Sequence, residues 1–193
     1  MSTKVSDQTV AKAQRTVRAY GLAAAAMALS SLAAPAGAQP GRIDHWPVGP
    51  NVAKSGAFAV VQIATVNEAE FIAIWRSPTP GVTAKVTTHP RRGQTLATFI
   101  TFRGCQADKA GDCNVTVTYE LHDPSGKLIG RTTQMVWAKR PAPRPDMVWL
   151  SEQSFGLGFS KADPLGAYII DATVIDHVSG VTLHTRQVHT LAA

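Results

Sequence analysis

Between residues 113 and 122 the chain alternates with a period of two. Cys113, Val115, Val117, Tyr119 and Leu121 are apolar, and Asn114, Thr116, Thr118, Glu120 and His122 between them are polar. Successive side chains of a strand point to opposite faces, so this run predicts a strand with one face on a core and one in water. The run Asp123-Pro124-Ser125-Gly126 that follows has the residues of a type I turn, with a glycine ready for positive φ. A return strand is predicted over 128–138. A second hairpin follows the Asp163-Pro164-Leu165-Gly166 turn, with strands over 167–175 and 181–190 around a turn at 177–180. Shorter strands are predicted over 57–64, 95–102 and 147–150, and over 155–159, where Phe155, Leu157 and Phe159 alternate with glycines.

Residues 67–76 break this period. Asn67 with Glu70 three residues on has the spacing of a capping box, and Phe71, Ile72, Ile74 and Trp75 fall at helical intervals. A short helix near 68–76 is predicted, although the run is also rich in strand formers. Over 139–145, Pro141, Pro143 and Pro145 exclude a paired central strand. Seven to eight short strands, spaced by glycine and proline turns around one short helix, predict a mostly β fold, an antiparallel sandwich.

The first residues follow a different logic. Lys4, Lys12, Arg15 and Arg18 stand against a single acid, Asp7, ahead of an apolar run over 20–32 that closes in small residues up to Ala38. A basic head, a short apolar middle and a small-x-small exit form a secretory signal, with cleavage expected after Ala38. The apolar run is too short and too Ala/Ser-rich for the roughly 20 residues of a spanning helix. The expected organisation is therefore a cleavable signal over 1–38, an irregular lead-in over 39–56 and one β-sandwich domain over 57–193, periplasmic or secreted. Cleavage also changes the charge. Of 19 basic and 13 acidic side chains, the signal removes 4 and 1, leaving 15 against 12, or +3 rather than +6. That is no electrostatic footprint for nucleic acid.

Export bears directly on Cys105 and Cys113, the two cysteines of the chain. An oxidising compartment favours a disulfide, and a redox pair or zinc site would need closer spacing or further ligands. The bond is expected to lock the neck of a hairpin loop.

The run Asp163-Pro164-Leu165-Gly166-Ala167-Tyr168, with Ile170, Ala172 and Val174 alternating after it, resembles the penultimate-strand signature of immunoglobulin-like sandwiches. The resemblance implies a structural corner built on Asp163, Gly166 and Tyr168, in which the tyrosine hydrogen-bonds back along the chain. One extra residue separates Asp163 from Tyr168, and the cysteines do not occupy the family's two-sheet bridge positions, so the match is to the broad class. The cysteine loop, the 123–126 turn and the 163–168 run are also similar, in that order, to uncharacterised exported proteins of Gram-negative bacteria. That implies compartment and fold but no activity, because such sandwiches host unrelated functions.

Chemistry leaves few marks. The chain has no Gly-x-Ser-x-Gly, no His-Glu-x-x-His and no phosphate-cradling loop. No catalytic residue and no cofactor are expected. His45, His89, His122, His177, His184 and His189 are scattered; His177 and His184 flank the last turn, and with His122 or Met135 they would make a copper or zinc site. The plainer reading is polar residues on a wetted sheet face. Asp108, Asp112 and Asn114 offer oxygens to calcium, yet they are also ordinary turn formers. The remaining candidate is the basic, proline-rich loop. Trp137, Lys139, Arg140, Arg144 and Trp149 would dock an envelope protein or a surface glycan, or else the loop is an ordinary connection with both tryptophans in the core. These features lead to the expectation of a non-enzymatic interaction or structural module of the cell envelope. A small-ligand or metal-binding protein using the last-hairpin histidines is the alternative.

Overall fold

The structure, a computed structural model, describes residues 41–42, 47–77 and 84–192 of the 193-residue chain. The expected export signal and part of the lead-in lie outside the described residues. The elements run β1 (Gly41–Arg42), β2 (Val52–Ser55), β3 (Phe58–Thr65), α1 (Glu68–Trp75), β4 (Thr95–Arg103), β5 (Asp112–His122), β6 (Leu128–Pro141), β7 (Met147–Leu150), β8 (Phe155–Gly158), β9 (Gly166–Asp176) and β10 (Thr182–Leu191). They form two antiparallel sheets. One has the order β1-β7-β4-β3-β2, with β8 continuing the β7 side of β4, and the other has the order β10-β9-β5-β6. No helix among the described residues is long and apolar enough to cross a membrane.

The alternation read in the sequence is the burial pattern of the second sheet. On β5 and β9 every other residue is buried, because one face meets the other sheet and the opposite face meets water. The first sheet differs. On β4 seven consecutive residues are buried. The reason is a third layer: Phe71 of α1 stacks on Phe99 at 5.1 Å between ring centroids, and with Ala97 they form a small second core outside the sheet. Leu96, Ile100 and Phe102 on the other face of β4 join the main core with Val117, Tyr119, Ile170 and Val174. Each fully buried side chain of this size contributes roughly 1.5–3 kcal/mol.

One buried polar group links the sheets. Gln62 on β3 is fully buried, and its Nε2 donates to the Ile170 carbonyl of β9 at 3.2 Å. Its Oε1 accepts from the Thr185 hydroxyl of β10 at 2.9 Å. Satisfied at both ends, this amide avoids the cost of an unpaired buried polar group and ties β3 to the β9–β10 hairpin, far away in sequence.

Four expectations need correction. The stretch 39–56 is not wholly irregular, since β2 pairs with β3 from Val52↔Val61 to Ser55↔Phe58. Asn67 does not cap the helix backbone; its side-chain amide donates to the Glu70 carboxylate instead. The prolines do not end β6 at Ala138, because the strand continues to Pro141 and pairs Cys113 with Arg140 and Asp112 with Pro141. It does so as an edge strand, where a missing N–H is tolerated, with register shifts on β5 and positive φ at Lys139. Finally, Cys105–Cys113 is a disulfide, with Cα atoms 6.1 Å apart, but it does not close a hairpin. β4 and β5 lie in different sheets, so the bond staples the crossover between them. Gly104, just before it, has φ +68, and a Cβ there would lie 2.1 Å from the Ala57 carbonyl oxygen. The crossover thus depends on a residue without a side chain.

The corner implied by the immunoglobulin-like resemblance is present. The Tyr168 hydroxyl donates to the Pro164 carbonyl at 3.0 Å. Asp163 accepts from the Ser160 N–H, and Gly166 packs at positive φ beside Pro124.

Candidate functional site

A cleft of about 510 Å³ opens where α1, the first sheet and the end of β6 meet. Its walls carry Ile72, Trp75 and Arg76 from the helix, Trp137 and Arg140 from β6, and Trp149 from β7, with Glu152 just after. Three of the chain's four tryptophans therefore line one cavity. Each is placed for a local reason. Trp75 ends α1 and stacks on Phe71 at 6.1 Å, Trp137 packs edge-on to Phe102 at 5.6 Å, and Trp149 meets Trp137 edge-on at 5.3 Å.

The polar groups are arranged unequally. The Trp137 N–H donates to the carbonyls of Arg140 and Pro141, at 3.3 and 3.2 Å, which Pro141's place on the strand makes available. The Arg140 guanidinium lies 3.8 Å from the Trp137 ring centroid and ion-pairs with Glu152. This stacked cation is held by the ring's negative face as well as by the carboxylate. The Ser151 hydroxyl accepts the Ile100 N–H and donates to the Gln153 carbonyl. By contrast, the indole N–H groups of Trp75 and Trp149 and the Nε of Arg140 have no partner, although water does not reach them. Arg76 ion-pairs with no acid among the described residues.

The residues predicted for a docking loop thus divide. Trp137, Arg140 and Trp149 come together at the cleft. Trp137 is core-like at 8% exposure, whereas Trp149 is half-buried. Lys139 and Arg144 do not line it, and Arg144 forms a bidentate pair with Asp146 two residues away. Sequence reasoning missed Trp75, Arg76 and Glu152. A Trp-Arg pair at the end of the predicted helix was the available signal.

The predicted histidine set does not converge. His177 bonds Thr116, His184 bonds Thr173, and His122 faces Asp171 at 3.7 Å, where Arg186 already holds that carboxylate with two hydrogen bonds. Met135 pairs with Thr116 across β5. Among the described residues no three His, Cys, Asp or Glu side chains are placed to hold a metal. His45 lies outside the described residues. Asp108 accepts from the N–H groups of Ala110 and Asp112, the work of a turn former.

One further histidine stands out. His189, on the opposite face of β10 from exposed His184, is fully buried, and neither ring nitrogen has a partner. Burial, and secondarily the nearby His89, lowers its pKa to about 4.

No protein-family model matches this chain, and neither does any curated protein. Among solved structures it is similar to a β-glucuronidase of Bacteroides uniformis, at 12% identity and a TM-score of 0.37; the likeness covers 50% of this chain and 11% of that one.

Proposed function

We propose that this chain is exported and acts as a non-enzymatic recognition module of the cell envelope, engaging its partner through the tryptophan–arginine cleft. The observation that carries this reading is the cleft itself: three indoles and two arginines around one cavity. Tryptophan and arginine dominate binding hot spots, because they combine large apolar area with directional donors. Export is supported by the basic, apolar and small-residue succession before Gln39 and by the Cys105–Cys113 disulfide. A binding role rather than a chemical one is supported by the cleft's polar inventory, in which the Ser151 hydroxyl already serves the backbone and the one lining carboxylate serves Arg140.

The test has two arms. N-terminal sequencing of the protein recovered from the periplasm or medium should begin at Gln39. Capture from envelope extracts should retain a partner, identified by mass spectrometry, with wild type and with Arg144→Ala, and lose it with Trp149→Ala and Arg76→Ala. Folding of the variants is checked by thermal melts. Equal capture by all four proteins, or turnover on a substrate panel, would reverse the proposal.

A further inference from the structure

An uncovered sheet edge is a row of unpaired N–H and C=O groups, ready to template another strand. This fold closes or shortens most of its edges. On β10 the N–H groups of Arg186 and Thr190 donate to the carbonyls of Pro50 and Thr88, and Ala192 bridges Arg91. β1, β2 and β8 are only 2, 4 and 4 residues long, and shortness is itself a guard.

β6 is the exception. It is the longest strand, at 14 residues, and it pairs with β5 alone among the described residues. Lys139 at positive φ and the register shifts bend its far end, yet from Gly130 to Met135 its register with β5 is unbroken. That stretch is a straight edge with one side free. It also leads to the cleft: Trp137 and Arg140 of β6 line the cavity, and no residue of β5 does. A strand laid along β6 would run into it.

The side chains along the edge restrict what that strand carries. β6 holds Arg131, Lys139 and Arg140 and no acid. Glu120 and Glu152 answer the two arginines, whereas exposed Lys139 ion-pairs with no acid among the described residues, as is true of Arg76 in the cleft. At the other end Leu128 and Ile129 are 46% and 48% exposed. The edge is thus basic toward the cleft and apolar away from it. A second β6 suits it poorly, because it would add three more basic groups and no acid.

We infer that β6 accepts an extended segment of a partner protein as an added edge strand, antiparallel to β6, with acidic residues beside Lys139 and the cleft and apolar residues beside Leu128 and Ile129. Main-chain hydrogen bonds supply the affinity in such strand addition, and pockets for alternate side chains supply the selectivity. The inference rests on the cleft as the recognition site, because it makes the cleft the pocket at the end of the strand.

The probe is the blocked peptide Glu-Glu-Val-Thr-Val-Thr-Val-Leu, read on the whole protein by amide hydrogen exchange and by indole N–H resonances. N-methylation at every valine and threonine keeps the side chains and removes the strand's donors. Lys-Lys in place of Glu-Glu reverses the charge. The parent peptide should slow exchange within 130–135 and shift the Trp137 or Trp149 indole. The methylated peptide should not bind, and the lysine peptide should bind at least about tenfold more weakly, because like charges side by side oppose pairing. Lys139→Glu should swap the preference between the two peptides and leave the melting temperature unchanged. Unchanged exchange within 130–135, equal binding of the methylated peptide or equal binding of both charges overturns the inference. So does the same protection arising without peptide as the protein dimerises, which makes a second copy the occupant. If capture from envelope extracts depends on Trp149 while the peptide does not bind and Lys139→Glu captures as wild type, the strand is wrong and recognition by the cleft stands. If the peptide pairs with β6 while capture ignores Trp149, the edge stands and the cleft reading falls.

Discussion

His189 makes the stability of this protein pH-dependent in a calculable way. In the unfolded chain its imidazole takes up a proton near the ordinary value of 6.5, while in the folded protein it stays neutral until about pH 4. Between those values the unfolded state binds more protons, so stability must fall as the pH falls through that window. At about 1.4 kcal/mol per pKa unit, the full shift withdraws about 3 kcal/mol, a large part of the roughly 5–15 kcal/mol that holds a domain folded. The perturbation that isolates it is His189→Leu. This replaces a buried ring whose two nitrogens have no partner with an apolar side chain, so the variant should be at least as stable as wild type at neutral pH. Urea titrations at several pH values between about 6.5 and 4 provide the assay, read from midpoint and slope. Wild type should lose stability progressively, and the difference from the variant should widen by about 3 kcal/mol across the window. Asp123 and Asp163 also shed stability in acid. The Ser125 hydroxyl and the Ser160 N–H respectively hold their carboxyls below the usual range, so their losses begin as the pH nears the ordinary carboxylate value, at the acid end of the histidine window, and continue below it. A wild-type stability that stays flat from about 6.5 to 4, or a variant that keeps the wild-type slope, would refute the reasoning.

Two further outcomes follow from the framework. Tyr168→Phe removes the hydroxyl that donates to Pro164 across the corner, and should cost about 1 kcal/mol in urea denaturation without changing its slope. The double substitution Cys105→Ala and Cys113→Ala should cost about 2–3 kcal/mol from regained loop entropy alone; because the bond staples the crossover between sheets rather than a hairpin, hydrogen exchange should loosen at the ends of both β4 and β5.

The candidate cleft was only partly legible in the chain. Trp137, Arg140 and Trp149 could be singled out because they flank one proline-rich stretch. Lys139 and Arg144 were singled out with them and do not line the cavity, since proximity in sequence says nothing about the direction of a side chain on an edge strand. Trp75 and Arg76 lie some sixty residues earlier and reach the cleft only because α1 packs Phe71 against Phe99. The histidines failed in the opposite sense. Their spacing brought them near the last turn, but on a sheet face each found its own threonine or carboxylate.

What the sequence by itself determined is the local grammar of the second sheet. Alternation on β5 and β9, the 123–126 and 177–180 turns, the tyrosine corner and the pairing of the two cysteines all rest on contacts within a few residues or on a period of two. Tertiary structure alone decided the rest. A strand buried on both faces, as β4 is, has no alternation to read, because the helix layer removes the polar face that would have revealed it. Nor does a run of residues state which sheet it will join, so the disulfide's role as a staple between layers emerged only when β4 and β5 took different neighbours. The cleft belongs to the same class. Its three indoles and two arginines come from three segments, and only the packing of helix against sheet and strand against edge brings them around one space.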